Sequence, residues 1–344
     1  CDVYSAKGKN VPFADYPAHL AEYLSEFATD YDVVDFPYDC LPWIDARHAR
    51  TLTVARCVLL EEHCQFTQDP SPPLSLKRCV SSLIRCRSQV RRKQAQSQSR
   101  LYRQMNLQRA DLVTVGNRQD RECLIQLGVS ASKITVLPYG LTEAHRKRLE
   151  QCKPSTGSTP EPCLVFLGSF AYRKGCLDWE EIFSLVSKKF PALQLKLIGT
   201  RAMCQTAAEV YRFFPKSMRN RISVVPTFEP EMLPELLDGC SLGVFPSYRE
   251  GFGIGVVEML AAGLPVVAYG APGPCDILPQ EWLVPRGDHL ALANKILALL
   301  DQAQRFDLSG QARSIAKQFL WDEIAGRTHQ VYQQALYELR SKAV

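Results

Sequence analysis

LGVFPSYREGFGIGVVE, residues 242–258, opens on a short apolar run, closes on a helix-type pattern, and carries three glycines in between. An apolar run without alternation is what a strand buried on both faces needs. A helix that begins near Ile254 offers its positive end to an anion such as a diphosphate. Gly251, Gly253 and Gly255 remove Cβ atoms, which lets backbone N–H groups approach a ligand closely. Glu250 precedes that helix, and Glu258, about one turn in, points back towards the same place. A carboxylate only accepts hydrogen bonds and can take two adjacent hydroxyls, so the pair suits a sugar and a ribose diol. Taken alone, the stretch reads equally well as a glycine-rich turn with two solvated glutamates.

The surrounding chain repeats the pattern. CLVFLG (163–168), LQLKLIG (193–199), ISVVP (222–226), PVVAY (265–269) and a run at 282–284 predict strands. Between them lie a helical face of Ile182, Leu185, Val186 and Phe190 and helical stretches around 204–214, 231–239, 254–262 and 289–300. Strict β/α alternation implies crossover connections and a parallel sheet covered on both faces. In such a sheet, ligands bind beyond the carboxyl ends of the strands, where the 246–253 loop falls. The first half is similar, with strands predicted in YDVVDFP (31–37), TLTVARCVLL (51–60), DLVTV (111–115) and ITVLP (134–138). A helix between the last two is capped by Asn117 and ended by Gly128. The Pro-, Ser- and Thr-rich QCKPSTGSTPEP (151–162) reads as a linker, and a helical pattern from Asp322 to about Arg340 closes the chain. The fold class is α/β, with two Rossmann-like domains.

Length agrees, since 344 residues make about two domains at roughly 150 residues each. With 46% hydrophobic residues and only 19 Gly and 22 Pro, the composition excludes disorder and a collagen-like fibre. No apolar run reaches the roughly 18–20 residues of a membrane-spanning helix. Thirteen cysteines include no CxxC pair, and many sit in apolar settings, so they read as buried reduced thiols of a cytoplasmic protein. The net charge of +5 hides an uneven distribution, because residues 77–109 hold ten basic residues and no acidic one. That segment has an amphipathic helical spacing and suits an anionic membrane surface or a phosphorylated acceptor, or is simply a solvated cationic helix. Its one aromatic, Tyr102, and the lack of a reader motif argue against nucleic acid. The chain begins at Cys1 rather than Met, which leaves a removed leader open.

LGSFAYRKG (167–175) adds a second loop at a strand end, with Gly168 for a sharp exit and Arg173 and Lys174 as adjacent cations. Two cations after one strand and two spaced acids after another suit a ligand with a diphosphate and several hydroxyls. RKG, then PTFEPEMLPELLDGCSLGVFPS, then EGFGIGVVEMLAAGLPVVA together resemble the retaining glycosyltransferases of family four, which have the GT-B fold. The resemblance extends to YDVVDFP, to the segment from Ala110 to Gly140, and to FLWDEIAGRTHQVYQQAL.

It implies an acceptor domain over 1–150, a linker over 151–162, a donor domain over 163–321, and a helix 322–340 that packs back on the first domain. Arg173 and Lys174 would neutralise the departing diphosphate. Glu250 would contact the donor sugar and Glu258 the ribose. The backbone at Phe252, Gly253 and Ile254 would approach sugar and phosphate, Phe228 would lie near the base, and Gly168 would shape the donor loop. His63 would lie near the reactive centre, although a histidine ending a buried strand reads as well. The partners implied are a nucleotide-sugar donor and a hydroxyl acceptor, with no cofactor and no bound metal, since Arg and Lys take the metal's place. Asp30-Tyr31-Asp32, a DxD, opens a strand rather than following one and reads as a polar strand boundary. Glu250→Ala and Lys174→Ala are each expected to cut transfer sharply and leave the thermal melt nearly unchanged.

Three departures from the family pattern stand out. Tyr139-Gly140-Leu141-Thr142 replaces Asn-Gly, a hydrophobic residue and Asp. APGPCDIL (271–278) puts Asp276 near the place of the usual acid, and the family's opening strand and glycine-rich acceptor loop have no counterpart, as if the fold were entered near Asp2–Ser5. Other readings of the chain are a non-hydrolysing nucleotide-sugar 2-epimerase and a catalytically inactive GT-B subunit that binds a partner through its basic segment. A dehydrogenase is disfavoured, because no GxGxxG follows a strand with an acid about 20 residues on.

Overall fold

The computed structural model describes residues 30–39, 50–60, 103–155, 161–301 and 305–342, together with Glu22, Glu26 and Leu101. His63, most of the basic segment 77–109 and the N-terminal stretch through Asp2–Ser5 lie outside the described residues. The described chain forms two all-parallel sheets.

The first sheet holds β1 (Val33–Pro37), β2 (Leu52–Cys57), β3 (Leu112–Val115) and β4 (Ile134–Val136) in the order β1-β2-β3-β4. Each falls inside an apolar run expected to be a strand, and Asp30–Asp32 precedes β1 as a strand boundary. Helix α1 (Arg118–Gln126) follows β3 and starts where expected: Asn117 Oδ1 accepts from the Asp120 amide at 2.8 Å. Gly128, at φ 86°, takes the left-handed turn after it.

Helix α2 (Glu143–Glu150) was not foreseen from its polar sequence, EAHRKRLE. Thr142 caps it by accepting from the His145 amide, and the Arg146 guanidinium grips Glu143 at 2.8 Å and also Glu150. Its Leu149 is wholly buried in the second core. Beyond it, Lys153 and Ser155 bond to Asp238 and Cys240, so the start of the Pro/Ser/Thr-rich stretch lies along the second domain.

The second sheet runs β10-β9-β8-β5-β6-β7. Its strands are β5 (Cys163–Leu167), β6 (Gln194–Ile198), β7 (Ile222–Val225), β8 (Leu242–Phe245), β9 (Val266–Tyr269) and β10 (Leu283–Val284). β5 and β8 are buried at every position, as strands covered on both faces should be. The helix expected around 204–214 is shorter, α4 (Ala207–Tyr211), after α3 (Trp179–Ser187). Likewise 231–239 becomes α5 (Leu233–Leu237) behind a 3₁₀ turn at Pro230–Met232, because the prolines at 230 and 234 supply no amide and belong in first turns. Then come α6 (Ile254–Ala261), α7 (Pro274–Ile277), α8 (His289–Asp301), the unforeseen α9 (Arg305–Ala316) and α10 (Trp321–Ser341).

Chain order reverses between β5 and β8, since β6 and β7 lie to one side and β9 and β10 to the other. The crevice at that reversal is where an open parallel sheet admits a ligand, and the loops after β5 and β8 flank it.

Helix α10 joins the two domains. Its Trp321 amide donates to Leu141 at 2.9 Å, and Ile324 is buried there. Farther along, Val331, Tyr332, Ala335, Leu336 and Leu339 form one stripe over Leu52, Val54 and Leu112 of the first sheet. Tyr332 donates to Asp35 at 2.9 Å, and Arg340 pairs with Asp32. No helix among the described residues is long and apolar enough to cross a membrane.

Candidate active site

A cavity of about 650 Å³ opens at the β5/β8 crevice, between the two sheets. The described residues to which the resemblance gives a catalytic or donor-binding role all line it: Gly168, Arg173, Lys174, Phe228, Glu250, Phe252, Gly253, Ile254 and Glu258.

After β5, Gly168 turns the chain at φ 152°, and Tyr172–Lys174 form a 3₁₀ turn ended by Gly175 in the left-handed region. A Cβ on Gly175 would lie 2.1 Å from the Pro246 carbonyl, so only glycine lets this loop seat against the loop after β8. That seating brings Lys174 onto Glu250 as a close ion pair, with 8% and 6% of each residue exposed. Lys174 Nζ also lies 5.0 Å from the centre of the Phe245 ring. Burial pushes the lysine below its ordinary pKa, and the Glu250 carboxylate opposes that shift. Arg173 is more open: its Nη1 donates to the Arg249 carbonyl at 3.4 Å and lies 3.8 Å from Glu250. Two cations and one buried acid thus meet at the mouth of the crevice.

The ion pair changes one expectation. Because Lys174 and Glu250 are buried together, removing either leaves an uncompensated charge. The melt is therefore expected to fall in Glu250→Ala and Lys174→Ala rather than stay unchanged.

Helix α6 begins at Gly253, held at φ 102°, and aims its first amides at the cavity. Of its glycines, Gly255 serves helix–strand packing, since a Cβ there would lie 2.5 Å from the Leu167 carbonyl of β5. Gly251 lines the cavity, and a second reason requires glycine there. A Cβ on Gly251 would lie 1.6 Å from the Val58 carbonyl of the first domain. Its missing side chain admits the other domain at the edge of the cavity that Gly251 lines. Asn117 Nδ2 donates to the Gly251 carbonyl at 2.7 Å and completes this contact.

Asp276 reaches across as well. Its Oδ2 accepts from the Arg118 amide at 2.7 Å, and Oδ1 faces Arg118 Nε at 3.2 Å. It thus ties α7 to the start of α1 and does not line the cavity among the described residues. The exposed guanidinium contributes little, whereas a carboxylate on the first amides of a helix is worth roughly 0.3–1 kcal/mol. Asp276→Ala is expected to speed hydrogen exchange at the Arg118 amide by about tenfold. Unchanged exchange there would mean that the bond does not form in solution.

Glu258, on α6, lines the cavity, and its Oε1 accepts from His145 Nε2 at 3.1 Å. Phe228 stands over Gly199, at 3.1 Å from where a Cβ would be. Opposite, Val58, Leu59, Tyr139, Gly140 and Trp321 close the cavity. None of these five was singled out as a site residue, although the Tyr139-Gly140 departure was visible. The Tyr139 ring lies 5.9 Å from that of Phe252, and burial pushes its phenol pKa up. Among the described residues, no cluster of His, Cys, Asp and Glu could hold a metal ion.

Residues 161–302 match the family described as Glycosyl transferases group 1. A D-inositol 3-phosphate glycosyltransferase of Xylanimonas cellulosilytica is 27% identical over 249 residues, 66% of this chain and 57% of that protein. The sulfoquinovosyl transferase SQD2 of Arabidopsis thaliana is 24% identical over 55% of this chain and 37% of its own length. The chain spans about half the length of the curated relatives it matches. Among solved structures, the sucrose-phosphate synthase of Thermosynechococcus elongatus superposes with a TM-score of 0.70 at 21% identity, covering 98% of this chain and 81% of that one. HepE of Anabaena, solved with UDP and glucose, gives 0.62 at 18% identity, covering 97% and 83%. The fold is GT-B: two parallel-sheet α/β domains facing a cleft.

Proposed function

We propose that this chain, whose residues 161–302 match the family described as Glycosyl transferases group 1, moves a sugar from a nucleoside-diphosphate donor to a hydroxyl acceptor with retention. The observation that carries the reading is the meeting of Arg173, Lys174, Glu250, Glu258 and the start of α6 in one cavity at the β5/β8 reversal.

Each group has a task that its chemistry suits. The diphosphate lies against the first amides of α6, where the helix dipole favours negative charge. Arg173 and Lys174 face the oxygen that leaves the sugar and stabilise the charge that grows on it, without a metal. Glu250 accepts from sugar hydroxyls, Glu258 from the ribose diol, and Phe228 lies beside the base. As the bond from the anomeric carbon to phosphate breaks, the acceptor oxygen bonds to that carbon on the same face. Its proton passes to the departing phosphate oxygen, and the nucleoside diphosphate leaves. No protein nucleophile is needed.

A screen of UDP-, GDP- and ADP-sugars against hydroxyl acceptors, in the presence of a metal chelator, tests this. NMR of the product should show the donor's anomeric configuration. An inverted product removes the retaining mechanism, and loss of activity on chelation removes metal independence. Epimer formation from donor alone would replace transfer with epimerisation. Absence of thermal stabilisation by all of these donors would count against the donor reading and favour that of a partner subunit.

A further inference from the structure

We infer that His145 is a positioning residue for donor ribose recognition, acting through Glu258; the inference rests on the ribose role proposed for Glu258. His145 sits on α2, which leaves the first domain after β4 and is anchored in the core of the second. The anchoring is tight. Thr142 caps the helix, Leu149 is wholly buried, and Arg148 reaches Glu231 at 3.0 Å. Helix α2 packs against α6, the helix that carries Glu258. His145 is therefore presented at a fixed place behind the donor cavity, which it does not itself line among the described residues.

The contact is one bond of 3.1 Å between His145 Nε2 and Glu258 Oε1, with only 13% and 19% of the two side chains exposed. An ionised carboxylate has only acceptors, so the proton in this bond belongs to the imidazole. A free glutamate side chain rotates among several rotamers, and ordering it on ligand binding costs entropy. His145 holds Oε1, so that ordering is complete before the ligand arrives, and Oε2 remains for a sugar hydroxyl. Removing the imidazole should thus weaken recognition of the ribose hydroxyls and leave phosphate and base contacts intact.

The test measures binding of UDP, GDP and ADP, each also as its 2′,3′-dideoxy form, to wild type, His145→Ala, His145→Leu, His145→Gln and Glu258→Ala. The preferred nucleotide should bind His145→Ala and His145→Leu about tenfold more weakly than wild type, the scale of one hydrogen bond. Its dideoxy form should bind all variants alike. His145→Gln, which returns an N–H donor near the Nε2 position, should restore most of the preference for the ribose form. Leucine keeps much of the packed volume, so agreement between Ala and Leu excludes a simple packing defect. If Glu258→Ala loses the preference while the histidine variants keep it, the inference fails and the role of Glu258 stands. If Glu258→Ala keeps the preference, or wild type binds none of the ribonucleotides, the role of Glu258 fails and the inference with it.

Discussion

Lys174→Met is expected to lower sugar transfer by roughly 100- to 1,000-fold, the loss seen when one preorganised charge-stabilising group is removed. It should also destabilise the fold. Lys174 is 8% exposed and its partner Glu250 6%, so the variant leaves a buried carboxylate facing an apolar side chain. Breaking a buried pair at one end costs about 3–5 kcal/mol, softened here by Arg173 at 3.8 Å. The double variant Lys174→Met/Glu250→Gln separates the two effects. With both charges gone, much of the stability should return, whereas transfer should remain lost. Thermal melts and steady-state rates on the three proteins check this. If the double variant recovers activity along with stability, the lysine was structural and Arg173 alone serves the leaving group.

The second large effect is expected at Gly251. Its φ is not positive, so alanine meets no backbone strain there and tests the contact alone. The new Cβ would lie 1.6 Å from the Val58 carbonyl, which forces the domains apart by about an ångström or more. A misplacement of that size costs about 100-fold in rate. Because the obstructing atom is backbone, trimming the neighbour by Val58→Ala should rescue nothing. Donor affinity should fall less than the rate, since Arg173, Lys174, Glu250 and Glu258 all belong to the second domain and only the share of binding linked to closure is lost. Nucleotide titration together with the transfer rate reads this split. A Gly251→Ala protein with a normal rate would mean that catalysis does not need the closed contact.

The donor half of the cavity was legible because local chemistry marks it. Gly168, the Arg173–Lys174 pair, Glu250 and Glu258 fall at strand ends that apolar runs reveal, and one sheet topology brings them together. The opposite wall was not legible for a physical reason. Val58–Leu59, Tyr139 and Trp321 come from three stretches far apart in the chain, and only the tertiary fold brings them to one wall. The glycines show the limit most clearly. A missing Cβ is visible in sequence, but whether it admits a ligand, as assumed for Gly251, or a carbonyl from another domain depends on tertiary contact. Helix α2 escaped notice because its stability rests on caps, ion pairs and one buried leucine rather than on an apolar stripe. His145 was hidden with it.

Asn117 caps α1 with one atom of its amide and holds the Gly251 carbonyl with the other, while Asp276 takes the next amide, that of Arg118. The first turn of this first-domain helix is therefore completed by the second domain, and it is complete only while the cleft is shut. Linkage is reciprocal: a ligand that favours closure also protects the helix from fraying, and a fault that loosens the helix weakens the ligand by the same free energy. Substitutions in α1 that touch no substrate can thus present themselves as donor-binding defects, and thermal shifts recorded with donor will report the first domain as well as the second.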